Sequence, residues 1–221
     1  MKKIFCLIMS LIFVFSLASC TKDKNKPSDE TDKETYFCTF DSEKIKVISL
    51  GAYDGLFVEK GGFDNVTSVA AIKIRNDSGR MIEYAKLSFR VNEYERAEFE
   101  IKAVPAGAQA LVMEITARQY SSDDKYSLIT DGESSFAAYC DASMNDDKIE
   151  ITTDGGNITV KNISDSPISE MNIYYKYLID GIYYGGIAFS GKFQDIQPGE
   201  SVTQTSDRFA KNGVIVNTRI A

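Results

Sequence analysis

The sequence predicts an all-β chain: two small β-sandwiches in tandem, behind a leader and a polar linker. Three observations predict it. Runs rich in Val, Ile, Tyr, Phe and Thr alternate with polar residues and are punctuated by Gly, Asn and Asp, the pattern of half-buried strands. No segment keeps a long helical period. One stretch recurs: Ile72 to Ser78 (IKIRNDS) aligns with Ile158 to Ser164 (ITVKNIS) at an offset of 86, which also pairs Ile82 with Ile168, Leu87 with Ile173 and Phe89 with Tyr175. Later, Val104-Pro105-Ala106-Gly107 matches Gln197-Pro198-Gly199-Glu200, with a few residues gained in the second copy. A repeat this long marks tandem domains rather than a solenoid.

Candidate strands of the first copy are Lys44 to Ile48, Ala85 to Val91, Phe99 to Val104 and Ala110 to Ile115. Those of the second are Ile149 to Thr152, Ile158 to Lys161, Met171 to Ile179, Ile182 to Phe189 and Val214 to Ile220. In both copies an aliphatic strand ends in Asn-x-Ser, whose short polar side chains bond their own backbone and set a turn. Alternation then turns Ala85, Leu87, Phe89 and Val91 inward and Lys86, Ser88, Arg90 and Asn92 outward. The offset places Met171, Ile173, Tyr175 and Tyr177 inward in the second copy and leaves Tyr174 outside. Asp180-Gly181 between two apolar runs is a type I′ hairpin signal, and Asn212-Gly213 marks another turn. Gly185-Gly186 inside a strand predicts a bulge or a close backbone approach.

The N-terminus carries an address. Met1-Lys2-Lys3 is a basic n-region, and Ile4 to Leu17 is an uncharged, mostly apolar run of 14 residues. That suits a signal peptide and is short of the roughly 20 residues a spanning helix needs. Leu17-Ala18-Ser19-Cys20 closes the run and resembles the lipobox of bacterial lipoproteins. The resemblance implies that Cys20 receives a diacylglyceryl thioether and becomes the mature N-terminus, a two-chain anchor that holds stably. Thr21 to Thr35 has no large apolar residue and is dense in charge, so it is expected to be a disordered tether. The expected organisation is a leader over 1–19, lipidated Cys20 and linker over 20–35, a first sandwich over 36–143 and a second over 144–221. The expected address is outside the cytoplasm, lipid-anchored to the cell membrane. The Lys-over-Arg bias favours a Gram-positive plasma membrane, with the outer membrane the alternative in a Gram-negative cell.

Composition excludes more than it includes. The chain carries a net charge of −7, and the leader contributes two lysines and no acid, so the mature chain is more acidic still. That disfavours nucleic acid as a partner. Histidine is absent, which removes Ser-His-Asp and Cys-His catalysis and His-ligated metal. Asp123-Asp124, Asp146-Asp147 and Asp154 match no calcium loop and read as solvated turns. No carboxylate spacing points to a glycosidase, so no catalytic residue, metal or cofactor is expected. Cys38 and Cys140 remain in the body. In an exported chain a disulfide between them is expected, closing a loop of about 100 residues and contributing roughly 3–5 kcal/mol; two free thiols are the alternative.

Asn162-Ile163-Ser164, Tyr174-Tyr175-Lys176-Tyr177 and Pro198-Gly199-Glu200-Ser201 resemble the small immunoglobulin-like sandwiches of bacterial lipoproteins, in particular the FxLYD-type domains. Here Tyr177-Leu178-Ile179-Asp180 stands where that family has Leu-Tyr-Asp, and the first copy matches less well. The resemblance implies an extracellular β-sandwich and no particular ligand. Tyr174, Tyr183 and Tyr184 are the candidate binding residues: exposed tyrosines on adjacent strands make a platform for a sugar ring or a partner's apolar patch, whereas cross-strand pairing would make them sheet stabilisers. The expected role is non-catalytic, binding or structural at the cell envelope through protein contacts. The alternative is a carbohydrate- or wall-binding module using those tyrosines.

Overall fold

A computed structural model describes residues 35–62 and 64–221. The leader, Cys20 and all but the last residue of the expected linker lie outside the described residues. Fourteen strands follow in order: β1 (Cys38–Phe40), β2 (Ile45–Phe57), β3 (Asp64–Asn76), β4 (Met81–Val91), β5 (Glu95–Val104), β6 (Gln109–Met113), β7 (Tyr126–Leu128), β8 (Phe136–Cys140), β9 (Ile149–Asp154), β10 (Asn157–Asn162), β11 (Ile168–Ile179), β12 (Ile182–Ile196), β13 (Ser201–Thr205) and β14 (Gly213–Ile220). The described part of the chain is all-β, as its alternating pattern requires.

The strands form a seven-stranded sheet in the order β1-β2-β3-β6-β12-β11-β14, a three-stranded sheet β13-β10-β9, and a four-stranded sheet in which β4 pairs β5, β7 and β8. One strand order recurs. In the first half β2-β3-β6 lies in one sheet and β5-β4-β8 in another; in the second half β9-β10-β13 and β12-β11-β14 repeat that order. The halves join edge to edge where β6 meets β12 in parallel, over two residue pairs, Ala110 with Tyr183 and Leu111 with Tyr184. A single long sheet therefore runs through both.

Alternation decides which face of the long sheet carries which core. On β3, Ala70, Ile72 and Ile74 join the cluster of Leu87, Phe89, Phe99 and Ile101 from the four-stranded sheet. The intervening Val69 and Ala71, with Met113, join the cluster of Ile158, Val160, Ile173, Tyr175, Phe189 and Phe193. The two smaller sheets thus cover opposite faces of the long one. The expected inward sets, Ala85 to Val91 and Met171 to Tyr177 on alternate positions, are all buried. Ser88, expected outside, is fully buried. The 129–135 segment crosses over β4, and Ser88 Oγ donates to Ser134 O (2.6 Å) while its amide donates to Ser135 Oγ (2.9 Å).

The repeated Asn-x-Ser turn has a physical role in both copies. Asn76 is fully buried; its Nδ2 donates to the carbonyls of Arg80, Val104 and Pro105, and its Oδ1 accepts from the amide and hydroxyl of Ser78. Asn162, equally buried, donates to Ser166 O and Ile196 O and accepts from Ser164. Each Asn backbone closes the later Pro-containing turn: Gly107 N donates to Asn76 O and Gly199 N to Asn162 O, both with φ near +75° as Gly permits. One side chain therefore staples two turns distant in sequence, once per half. The hairpin at Asp180-Gly181 has φ of 50° and 77°, the double-positive conformation of type I′.

Candidate functional site

β5 would present an open edge to the long sheet, and charged side chains close it. Glu114, almost fully buried, accepts from Glu98 N, Thr116 N and Arg118 N. Ile115 N donates to Glu98 O. Lys176 Nζ donates to Lys102 O (2.9 Å). Such caps remove an edge that would otherwise template further pairing.

Lys176 is the least expected residue of the molecule. Alternation on β11 sends it outward, yet it is 0% exposed, because β5 of the first half lies over it. Its other two N–H bonds go to Gly185 O (2.9 Å) and Ile187 O (2.6 Å) on β12. Between the Tyr175–Phe189 and Tyr177–Tyr184 pairs, Lys176 alone faces Gly185 to Ala188, so β12 bulges around the ammonium. Both glycines are obligatory there. Gly185 has φ +81°, and a Cβ on Gly186 would lie 1.8 Å from Glu100 O. The expected bulge and close approach are both present.

Glu59, in the loop between β2 and β3, meets the same seam from the donor side. Its carboxylate accepts from Met113 N of β6 (2.8 Å) and from Gly186 N of β12 (2.9 Å). Burial pushes the Glu59 carboxyl up, opposed by those amides and by the Lys176 charge. Burial likewise pushes the Lys176 ammonium down, to about 7, with Glu59 opposing and Lys102 adding to the fall. Sequence reasoning missed both residues; the only signal was the Gly-Gly pair beside a lysine at an alternating position.

Beside the seam, residues of both halves line a groove of about 210 Å³. Met81, Ala103 and Ala188 give it an apolar floor. Tyr84, Lys102, Tyr174 and Arg219 stand around it with Glu83. Arg219 pairs with Glu83 (2.7 Å) and lies over the Tyr174 ring (5.6 Å); Lys102 lies over Tyr84 (5.6 Å).

Of the candidate tyrosines, Tyr174 lines this groove and Tyr183 packs against the same apolar cluster. Tyr184 is set apart: it turns to the other face, its ring against Tyr53 and its hydroxyl donating to Leu56 O (2.6 Å). All three are partly buried. The expected Cys38–Cys140 disulfide is absent, and both cysteines are free. The reason is placement. Cys38 sits on β1 of the long sheet against the first core, while Cys140 sits on β8 beside the groove cluster, within 3.9 Å of Arg219 Nη2. Burial pushes the Cys38 thiol up to about 11, which makes it a poor nucleophile. Among the described residues no group of three or more Cys, Asp or Glu is placed to hold a metal ion.

Neither a comparison with protein-family models nor a search of curated proteins returns a match for this chain.

Proposed function

We propose that the chain is a lipid-anchored, extracytoplasmic protein of the bacterial envelope, built of two tandem immunoglobulin-like sandwiches, with a non-catalytic role in binding a partner protein. Cys20 is the anchor and the polar stretch behind it the tether. The recurring strand order and the paired Asn76 and Asn162 staples support reading the halves as two copies of one domain. The observation that carries the binding reading is the groove between them. It has an apolar floor, an aromatic and ionic rim and contributions from both halves, the composition of a protein-contact hot spot sized for a partner's anchoring side chain.

The test is cross-linking on intact bacterial cells that display the full chain. A discrete adduct lost in both Tyr174→Ala and Arg219→Glu supports groove-mediated protein binding. An adduct indifferent to both refutes the groove as the site. A Cys20→Ala chain that still carries lipid by mass spectrometry refutes the anchor. A second reading, carbohydrate binding, is favoured by Tyr84, Tyr174 and Asn217 lining one groove. Saturable binding to a glycan or peptidoglycan panel that is lost in Tyr174→Ala would support it over the first.

A further inference from the structure

We propose that Glu59 and Lys176 form a latch that fuses the two halves edge to edge by serving backbone groups, and that without it the seam opens while each half stays folded. Parallel pairing at the seam ends after Leu111 and Tyr184. Beyond that point the amides of Met113 and Gly186 and the carbonyls of Lys102, Gly185 and Ile187 have side-chain partners in place of a ladder. The carboxylate takes the donors and the ammonium takes the acceptors.

The two copies supply an internal control. The Asn staple occurs in both. The latch occurs only where they meet. The offset of 86 that aligns the copies puts Arg90 at the position of Lys176, and Arg90 is exposed. β5, the counterpart of β12, has no glycine. In the second copy only Gly155-Gly156 connect β9 to β10, so there is no loop to carry a counterpart of Glu59. A residue set absent from both unfused positions belongs to the fusion rather than to the domain.

This latch differs from an ordinary buried ion pair, whose two members can be exchanged together for apolar residues with little loss. Here such an exchange strands the backbone groups of three strands. The experiment is native-state hydrogen exchange on the full chain and on Glu59→Gln, Lys176→Met and the Glu59→Leu/Lys176→Met pair. In Glu59→Gln, the amides of Met113 and Gly186 are expected to exchange at least about tenfold faster, the loss of a charge-assisted bond. The amides of Asn76 and Asn162 should keep their protection. In the double variant the seam stays unprotected. Uniform acceleration across all strands would overturn the proposal, since the pair would then be part of the global core. Recovery of seam protection in the double variant would overturn it equally, since the charges would then serve each other. Should Glu59→Gln not fold, Lys176→Met reads the same seam through Gly186, and its failure as well would assign the pair to folding and end the proposal.

Discussion

Replacing one atom in a staple gives the sharpest test of the repeat's physical role. Asn76→Asp keeps shape and volume but exchanges an amide NH₂ for an oxygen. In the native chain that NH₂ donates to three carbonyls, at 2.7, 2.9 and 3.0 Å. Asn76→Ala leaves those carbonyls without the donor. The bond to Val104 O is fully buried, while the Arg80 and Pro105 carbonyls are partly open to water. At about 1–3 kcal/mol for the buried acceptor and about 0.5–1.5 for each bond water can replace, the Ala variant loses on the order of 3 kcal/mol. Asp adds repulsion between a buried carboxylate and three carbonyl dipoles, so it loses more at neutral pH. Protonating that carboxyl restores a donor. Its folded pKa is raised above the unfolded value, so the Asp variant regains stability as pH falls below its folded pKa. Urea unfolding followed by far-UV circular dichroism reads this directly. With a slope near 2 kcal/mol per molar, the Ala midpoint drops by about 1.5 M and the Asp midpoint by more. An Asp variant as stable as Ala at pH 7, or one indifferent to acid, would refute the argument that donation to carbonyls is what the Asn supplies.

Gly186→Ala should cost at least about 3 kcal/mol in the same assay, because its Cβ would enter the space of Glu100 O, whereas Gly181→Ala, with open space but positive φ, should cost only about 1 kcal/mol. Unfolding the protein without reductant in the presence of an alkylating reagent should label both Cys38 and Cys140; a mass lacking two labels would contradict the free thiols. The folded Cys38 thiol holds its proton to about pH 11 against 9.0 unfolded, so the folded state binds more protons in that window. Its contribution to stability therefore falls as pH rises from 9 to 11, and Cys38→Ala should flatten that part of the profile. Ser88→Ala should cost about 1–2 kcal/mol, since Ser134 O loses a buried donor.

The parts of this fold that were legible in the sequence are those set by local chemistry. The two Asn-x-Ser turns, the Asp180-Gly181 hairpin and the alternation of β4 and β11 all depend on residues a few positions apart, and each forms. Ser88, expected outside, and Lys176, for which the sequence offers only an alternating position, are buried for one shared reason. Alternation assigns a residue to a face but says nothing of what later crosses that face, here the 129–135 segment and β5. Glu59 carried no signal because a loop carboxylate looks solvated until two strands aim amides at it. The cysteine pairing fails because an expected address says nothing of which sheets the two cysteines sit on. The groove is half visible: alternation turns Tyr174 outward, but its neighbours Glu83, Lys102 and Arg219 come from three other strands. The expected boundary at 143/144 falls in a polar stretch that runs along β14, where Ser143 and Asn145 bond Asn217 and Thr218.

The junction of β6 with β12 joins strands that are not counterparts in the two halves. A contact between unlike edges is head-to-tail: repeated between separate copies, it closes into a ring or runs on as a filament. Among the described residues this junction is made once, between β6 and β12. β5, the strand a preceding unit would have to engage, has the Glu98 amide and carbonyl and the Lys102 carbonyl claimed by Glu114, Ile115 and Lys176. At the other end β13 offers five residues, four of them exposed and all but Val202 polar. The pairing geometry that could join separate molecules is used here inside one chain.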